Sequence, residues 1–349
     1  MPVSIDKITR LNLEITSHCN IRCPQCSRTH PMGNLAEFVD LEHWDFDRIL
    51  PNLEMEQMPN LKYVHIEGDN GDALMHPHIT KLLDHIMLLP SQPVMMILTN
   101  GGMRKPKWWR ELGQRYQGRL RVQFSIDGLA DTNPLYRVDI NHQRVLDNAR
   151  AFIEGGGDGA QRCIIFKHNQ HQIKEIVKQA EDIGMTTLVF IPNDSVRFQD
   201  QEKWAVYDHG FNITHYIENT EIKDLHQYNY YKKSKIKIPG MSAVVDDEIC
   251  PEWKSGIVAI TYKGHVIPCC MYQADLYFDH PSNDRFRELA GDTDLFNVNL
   301  HKLSWILDPD RFYGTRLSDT LRNKTPLMRC QVRCPDIAGG KRIIPIKEI

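Results

Sequence analysis

The stretch LNLEITSHCNIRCPQCSRTH, residues 11–30, decides the fold because it sets three cysteines directly after a strand-like run. Cys19, Cys23 and Cys26 have C-x3-C-x2-C spacing, and thiolates this close together indicate a bound metal. Structural zinc takes four protein ligands, and no fourth ligand follows nearby. A cubane iron-sulfur cluster held by three cysteines leaves one iron open to a small molecule. The spacing therefore favours a 4Fe-4S cluster with an open iron over three small buried hydrophobes.

The composition is that of a globular chain without a special affinity for membranes or nucleic acid. The 349 residues allow about two domains, and 41% are hydrophobic. A net charge of -3 gives no general attraction to nucleic acid, which is not favoured as a partner. The N-terminal sequence MPVSIDKITR lacks a signal-peptide pattern, and no run approaches the roughly 18 apolar residues of a membrane span. We expect a cytoplasmic protein whose nine cysteines serve metal or redox chemistry rather than disulfides.

Six strand-like segments alternate with amphipathic segments that have apolar residues at three- and four-residue intervals. The predicted strands are 11–17, 61–68, 94–100, 120–127, 163–169 and 186–192, and the predicted helices are 78–89, 107–116, 142–155 and 171–184. Such alternation predicts parallel βαβ units in an α/β fold. In barrels of this type, ligands collect at the carboxyl ends of the strands. The cysteine group follows the first strand, at that end.

The cysteine spacing resembles the signature of the radical S-adenosylmethionine (SAM) superfamily, although Gln25 stands where an aromatic residue is common. The resemblance implies a partial (βα)6 TIM-like barrel. It also implies that the open iron is chelated by the methionine moiety of SAM, and that reductive cleavage yields a 5′-deoxyadenosyl radical that abstracts hydrogen from a substrate. An external one-electron donor of the flavodoxin or ferredoxin type would be required.

The same resemblance implies four residues that bind SAM. Residues 70–73, NGDA, occupy the place of a Gly-Gly-Glu-Pro motif, so Gly71 and Asp72 are expected to receive the ammonium group. Ser125 is expected to contact the ribose, and Arg137 is expected to pair with the carboxylate through its planar guanidinium. Asp127 is expected to order the turn after the fourth strand.

A second cysteine group follows in the C-terminal third, with a β-hairpin predicted to turn at Lys263-Gly264. This layout resembles the twitch domain, a shortened SPASM extension, which implies that four cysteines ligate an auxiliary 4Fe-4S cluster. Those cysteines are Cys250, Cys269, Cys330 and Cys334. Cys270 adjoins Cys269, but strand neighbours point to opposite faces and the glycine spacing favours Cys269. A structural zinc site is the alternative for this group.

We therefore expect three regions: a barrel core over 1–215, a linker over 216–240, and a small α+β twitch domain over 241–340. After the sixth strand, an irregular stretch is predicted over roughly residues 200–240, and its basic, aromatic part YNYYKKSKIKIPG favours a solvated linker over a nucleic-acid contact. Short stretches such as EGDNGDA and IDGLADTNPLYR also resemble twitch-bearing proteins of phage and marine bacterial genomes.

Two functions from different classes fit the sequence. The first is a radical SAM oxidoreductase or modifying enzyme, with the auxiliary cluster relaying an electron or seating the substrate. The second is a non-catalytic iron-sulfur electron carrier or metal-stabilised binding module, which leaves Asp72, Ser125 and Arg137 unexplained. For the enzyme, a peptide, a small alcohol or sugar, and a nucleotide all stay open as substrates. Because the first strand begins so early in the sequence, we expect no leader-peptide-binding domain before it. This expectation weakens the peptide alternative without excluding it.

Overall fold

The computed structural model describes residues 4–193, 203–232, 256–267 and 291–311. Its main sheet has nine strands in the order β11-β10-β1-β2-β3-β4-β5-β6-β9, and β7 and β8 form a separate hairpin. The strands are β1 (Arg10–Leu13), β2 (Tyr63–Ile66), β3 (Val94–Thr99), β4 (Leu120–Ser125), β5 (Asp158–Ile165), β6 (Thr187–Pro192), β7 (Lys203–Tyr207), β8 (Ile213–Glu218), β9 (Tyr230–Tyr231), β10 (Ile257–Ile260) and β11 (Val266–Ile267).

Helices connect consecutive strands of the barrel, and one further short helix follows β11. They are α1 (Phe46–Leu53), α2 (Ile79–Met87), α3 (Pro106–Arg115), α4 (Asn133–Tyr136), α5 (His142–Glu154), α6 (Ile173–Ile183) and α7 (Leu303–Ile306). Each of β1 to β5 pairs in parallel with the strand that follows it along the chain. The predicted α/β class with a partial, TIM-like barrel of six parallel strands is confirmed.

The core lies between the sheet and these helices. Trp109 of α3 is fully buried, with its ring centroid 5.2 Å from that of Phe124 on β4 and 6.0 Å from that of Phe152 on α5. Gly184 follows α6 with φ +91°, a left-handed conformation that glycine adopts without a steric penalty. This confirms the predicted helix end. Within the described ranges, no helix combines the length and apolar character needed to cross a bilayer.

Two regions differ from the expectation. The stretch after β6, predicted as irregular, contains the antiparallel β7–β8 hairpin, and the predicted boundary at 215/216 falls inside β8. The β10–β11 hairpin turns at Gly264, as predicted, with φ +85°, but β10 also pairs in parallel with β1 and so extends the barrel sheet. The predicted auxiliary ligands lie outside the described residues: Cys250, Cys269, Cys330 and Cys334, together with Cys270.

Candidate active site

A cavity of about 680 Å³ opens at the carboxyl ends of the barrel strands. Its lining includes every barrel residue that the sequence proposed for the site: Cys19, Cys23, Cys26, Gly71, Asp72, Ser125 and Arg137. These residues come from the loops after β1 and β2, from the end of β4 and from the segment after α4. The volume lies within the range of about 300 to 1,000 Å³ typical of small-molecule sites.

Three polar groups approach the cysteine sulfurs. The Asn100 side-chain amide donates toward Cys19 Sγ at 3.7 Å, and the Arg137 guanidinium donates toward Cys23 Sγ at 3.5 Å. Cys26 Sγ lies 3.6 Å from the carbonyl oxygen of Asp69. The donors at Cys19 and Cys23 stabilise negative charge on sulfur, as iron-sulfur thiolates require, whereas the Asp69 carbonyl oxygen accepts from the Cys26 thiol.

The cysteines are free thiols in an environment that disfavours their ionisation without a metal. Burial raises the pKa of Cys19 to about 12 and that of Cys23 to about 11. A bound cation reverses this preference, because metals bind the thiolate. Among the described residues, no three His, Cys, Asp or Glu side chains converge on a single metal-ion position. Ligands of a cubane need not converge, because each cysteine binds a different iron. The trio fits a cluster.

Asp72 joins the ends of two neighbouring strands. Its carboxylate accepts hydrogen bonds from Leu74 N at 3.0 Å, Thr99 Oγ1 at 2.9 Å and Asn100 N at 2.7 Å. Burial raises its pKa, while these donors favour the charged form. The carboxylate therefore fixes the loop after β2 against the end of β3. Asp72 thus has a structural role, and its contact with the ammonium group of SAM stays a prediction.

Gly71 lies where the loop after β2 crosses the cysteine segment. A Cβ atom at Gly71 would stand 1.9 Å from the carbonyl oxygen of Thr16, far inside van der Waals contact. The next residue, Asp72, donates its backbone N–H to His18 O at 2.8 Å. Only glycine permits this approach, which places the loop directly against the residue before Cys19.

Arg137 belongs to a buried ion pair that connects β4, β5 and the cysteine loop. Its Nε donates to Asp127 Oδ2 at 2.5 Å, and Asp127 Oδ1 accepts from Ile164 N at 2.7 Å. Burial alone would lower the pKa of Arg137, but the charges of Asp127 and Cys23 outweigh burial and raise it. Asp127 therefore acts beyond its own turn: it orients the arginine beside Cys23. Ser125 ends β4 and lies next to Arg162 of β5 in register.

Several polar side chains that line the cavity were not predicted from the sequence, among them Asn12, Glu14 and Arg162. Glu14 accepts from Asn70 N at 2.6 Å and from Tyr262 N at 3.2 Å, and its pKa is raised well above the usual value by burial and by Asp69. An acidic residue in the alternating run LNLEITS was the available signal for Glu14. Arg162 carried no such signal, because the predicted fifth strand began after it.

Residues 13–180 match the family model of the radical SAM superfamily. The matched segment begins at the end of β1 and ends within α6, so it contains the cysteine group and the residues from Gly71 to Arg137.

Two curated proteins are distant relatives in sequence. One is a tungsten-containing aldehyde ferredoxin oxidoreductase cofactor-modifying protein of Pyrococcus furiosus, 24% identical over 74% of this chain and 70% of its own. The other is a GTP 3′,8-cyclase of Helicobacter pylori, 23% identical over 76% of this chain and 81% of its own.

Solved structures share the fold at still lower identity. SuiB of Streptococcus suis bound to S-adenosylmethionine superposes with a TM-score of 0.51 at 17% identity, covering 84% of this chain and 71% of SuiB. The protein anSMEcpe with bound AdoMet gives a TM-score of 0.55 at 13% identity, covering 95% of this chain and 85% of the other.

Proposed function

The chain belongs to the radical SAM superfamily through residues 13–180, and on that premise we propose that it is an enzyme that generates a radical from SAM and abstracts a hydrogen atom from its substrate. The observation that carries the proposal is one cavity lined by Cys19, Cys23, Cys26 and the residues proposed for SAM. A non-catalytic iron-sulfur electron carrier, the first form of the alternative, needs no cofactor pocket.

Family membership implies one 4Fe-4S cluster and SAM, and the three cysteines are the proposed ligands of that cluster. When bound, the reduced cluster supplies the electron that cleaves SAM to methionine and a 5′-deoxyadenosyl radical. The donors from Asn100 and Arg137 lie where they would stabilise thiolate charge.

SAM is proposed to lie along the strand ends, between the loop after β2 and the end of β4. Gly71 and Asp72 hold that loop in place, and Ser125 presents a hydroxyl for the ribose. Arg137 is proposed for the SAM carboxylate, with Asp127 keeping its guanidinium in position.

An auxiliary 4Fe-4S cluster at Cys250, Cys269, Cys330 and Cys334 is a further part of the proposal, supported by their spacing and by the β10–β11 hairpin between Cys250 and Cys269. The relatives' names span cofactor modification and GTP cyclisation, and SuiB has been crystallised with a precursor peptide. Peptide, small alcohol or sugar, and nucleotide substrates therefore stay open for this chain.

The test is anaerobic incubation of the reconstituted protein with SAM and a strong one-electron reductant, with 5′-deoxyadenosine quantified by chromatography. Wild type should form it slowly without substrate, and Cys23→Ala should not. Cys163→Ala is the matched control, since Cys163 is equally buried but packs in the core on the outer face of β5. Equal product from Cys23→Ala and wild type would overturn the proposal.

A further inference from the structure

Arg162 is a cation inside the barrel that no side chain in the described part of the chain pairs with. It lies on β5, between Ser125 of β4 and Val189 of β6 in register, and its side chain lines the cavity. Its chain neighbours Gln161 and Cys163 are almost fully buried, whereas Arg162 is exposed. Because strand side chains alternate between faces, Arg162 points into the barrel. Among the described residues, its guanidinium has no hydrogen bond or ion pair.

The other charged side chains that line the cavity each have an interaction of their own. Arg137 pairs with Asp127, and Arg28 donates to two carbonyl oxygens of the cysteine segment. Glu14 and Asp72 accept backbone N–H groups, and Glu67 and Asp69 have interactions of their own. Among the described residues that line the cavity, Arg162 is therefore the charged side chain left without a direct partner, and a concave site with low-dielectric walls strengthens its field.

A second, independent observation lies across the barrel on β1. Asn12 lines the same cavity, is only 6% exposed, and its Oδ1 has no donor within the described part of the chain. Leaving a buried acceptor unsatisfied costs free energy, so native proteins keep few such groups. An orphan acceptor that faces a cavity is satisfied when a ligand brings a donor.

We propose that the substrate of this cavity is a polar anion: a carboxylate or phosphate group pairs with Arg162, and a hydroxyl or amino group donates to Asn12. The anion site itself does not depend on the radical function proposed above. Only the description of the bound anion as a substrate rests on that function. A guanidinium suits both anions because its planar fork donates two parallel hydrogen bonds. SAM carries a carboxylate too, so the test must separate these two sources of the anion.

The experiment is anaerobic titration calorimetry of the reconstituted protein with malonate and with inorganic phosphate, with SAM absent and at saturation. We expect at least one probe to bind the SAM-saturated protein, and Arg162→Gln to weaken it about tenfold or more while SAM affinity stays within about twofold. Arg162→Lys keeps the charge and should retain part of the phosphate affinity. Arg150→Gln on the exposed face of α5 is the matched control and should change neither affinity.

Two results would overturn the proposal: no binding of either probe once SAM is bound, or a loss of SAM affinity in Arg162→Gln as large as the loss of probe affinity. Probe binding through Arg162 by a protein that does not bind SAM would uphold the anion site and defeat the radical function instead. Circular dichroism and iron content check that each variant is folded and loaded.

Asn12→Leu provides a readout independent of ligands. If Asn12 is kept for a ligand, replacing its orphan oxygen with a similarly sized apolar side chain should leave the Tm unchanged or raise it by a few degrees. A fall of several degrees would show that Asn12 serves the fold and would remove it from the proposed site.

Discussion

The Asp127–Arg137 pair shows how single residues divide their work between fold and chemistry. Both side chains are buried, at 0% and 14% exposure, and the guanidinium also reaches Cys23. A buried ion pair is costly to break, because the remaining charge loses its partner without regaining water. Arg137 is therefore expected to carry a structural role in addition to its proposed role toward SAM.

Arg137→Ala should thus produce two separable effects. SAM affinity should fall roughly ten- to a hundredfold, as expected for the loss of a charge-assisted hydrogen bond worth about 1.5 to 3 kcal/mol. The free energy of unfolding should fall by about 3 to 5 kcal/mol, because Asp127 is left as an unpaired buried charge. Equilibrium SAM binding and urea unfolding measure the two. A destabilised variant that binds SAM normally would restrict Arg137 to the fold.

His65 gives a prediction about acid stability. Burial, with help from the charge of Arg10, lowers its pKa to about 3, whereas an unfolded histidine titrates near 6.5. Below about pH 6.5 the unfolded chain binds a proton that the folded chain does not, so stability falls as the pH falls. The free energy of unfolding should therefore fall less steeply between pH 6.5 and 5 in His65→Gln, by up to about 1.4 kcal/mol per pH unit, because glutamine does not titrate.

Urea unfolding of wild type and His65→Gln across that pH range measures the two slopes of the free energy of unfolding against pH. Any loss of the cluster at low pH affects both proteins equally and cancels in the difference between the slopes. His226→Gln, on an exposed residue, should keep the wild-type slope. Identical slopes for wild type and His65→Gln would contradict the assignment of His65 as a buried neutral ring.

The sequence predicted residues of this site best where their chemistry is unusual for their place in the chain. Three closely spaced cysteines and a glycine-rich loop stand out from any background, and all of them line the cavity. Asn12 and Arg162 are ordinary polar residues, and only the register of β1 and β5 directs them inward. Their role depends on which face of a strand they occupy, which local sequence does not determine.

At the scale of elements, the site depends on two loops that touch. The loop after β2 approaches the segment between β1 and Cys19 so closely that Gly71 has no room for a Cβ atom. Asp72 then fixes the same loop to the end of β3. The cysteine loop is thus supported by packing against its neighbour as well as by its own turns.

Gly71→Ala should therefore displace the cysteine loop. We expect a loss of stability of about 1 to 3 kcal/mol, typical of overpacking, together with a fall in iron bound after reconstitution. Gly118→Ala is the control: Gly118 has a positive φ, +78°, which Gly71 does not, but its added Cβ would meet nothing within 4 Å. The control should lose some stability and keep its iron. Full iron occupancy in Gly71→Ala would show that the close approach does not support the cluster loop.

Elements were predicted well where apolar periodicity was strong and poorly where tertiary pairing supplied the stability. The strands from β1 to β4 and the helices α2, α3, α5 and α6 match their predicted segments to within a few residues or a short 3₁₀ turn, whereas α1 and α4 were not predicted. β5 begins at Asp158, five residues before its predicted start, because DGAQR has few β-formers and is held by pairing on both sides. The β7–β8 hairpin lacks a Gly-rich two-residue turn and was read as irregular.

At the scale of the whole molecule, the sheet continues past β1 into the β10–β11 hairpin. Glu14 reinforces this junction by accepting from Tyr262 N beyond β10 and from Asn70 N after β2. Residues 256–267, which lie between the proposed ligands Cys250 and Cys269 in sequence, are therefore continuous with the barrel sheet that carries the cysteine trio.

The seven proposed cysteine ligands predict the metal content. Anaerobically prepared protein should contain about eight irons and eight sulfides, in two 4Fe-4S clusters. Changing Cys19, Cys23 and Cys26 together to Ala should leave about four irons, whereas Cys163→Ala should leave all eight. Elemental analysis that found stoichiometric zinc and about four irons in the unaltered protein would defeat the auxiliary cluster and retain the first.

The central claim is that Cys19, Cys23 and Cys26 hold a cluster whose open iron binds SAM, and low-temperature electron paramagnetic resonance tests it most directly. Adding SAM to the reduced protein should change part of the cluster signal, because a new ligand alters the electronic structure of the open iron. That part should persist in Cys163→Ala and disappear in Cys23→Ala. A reduced-cluster spectrum that SAM leaves unchanged in the wild-type protein would contradict the account.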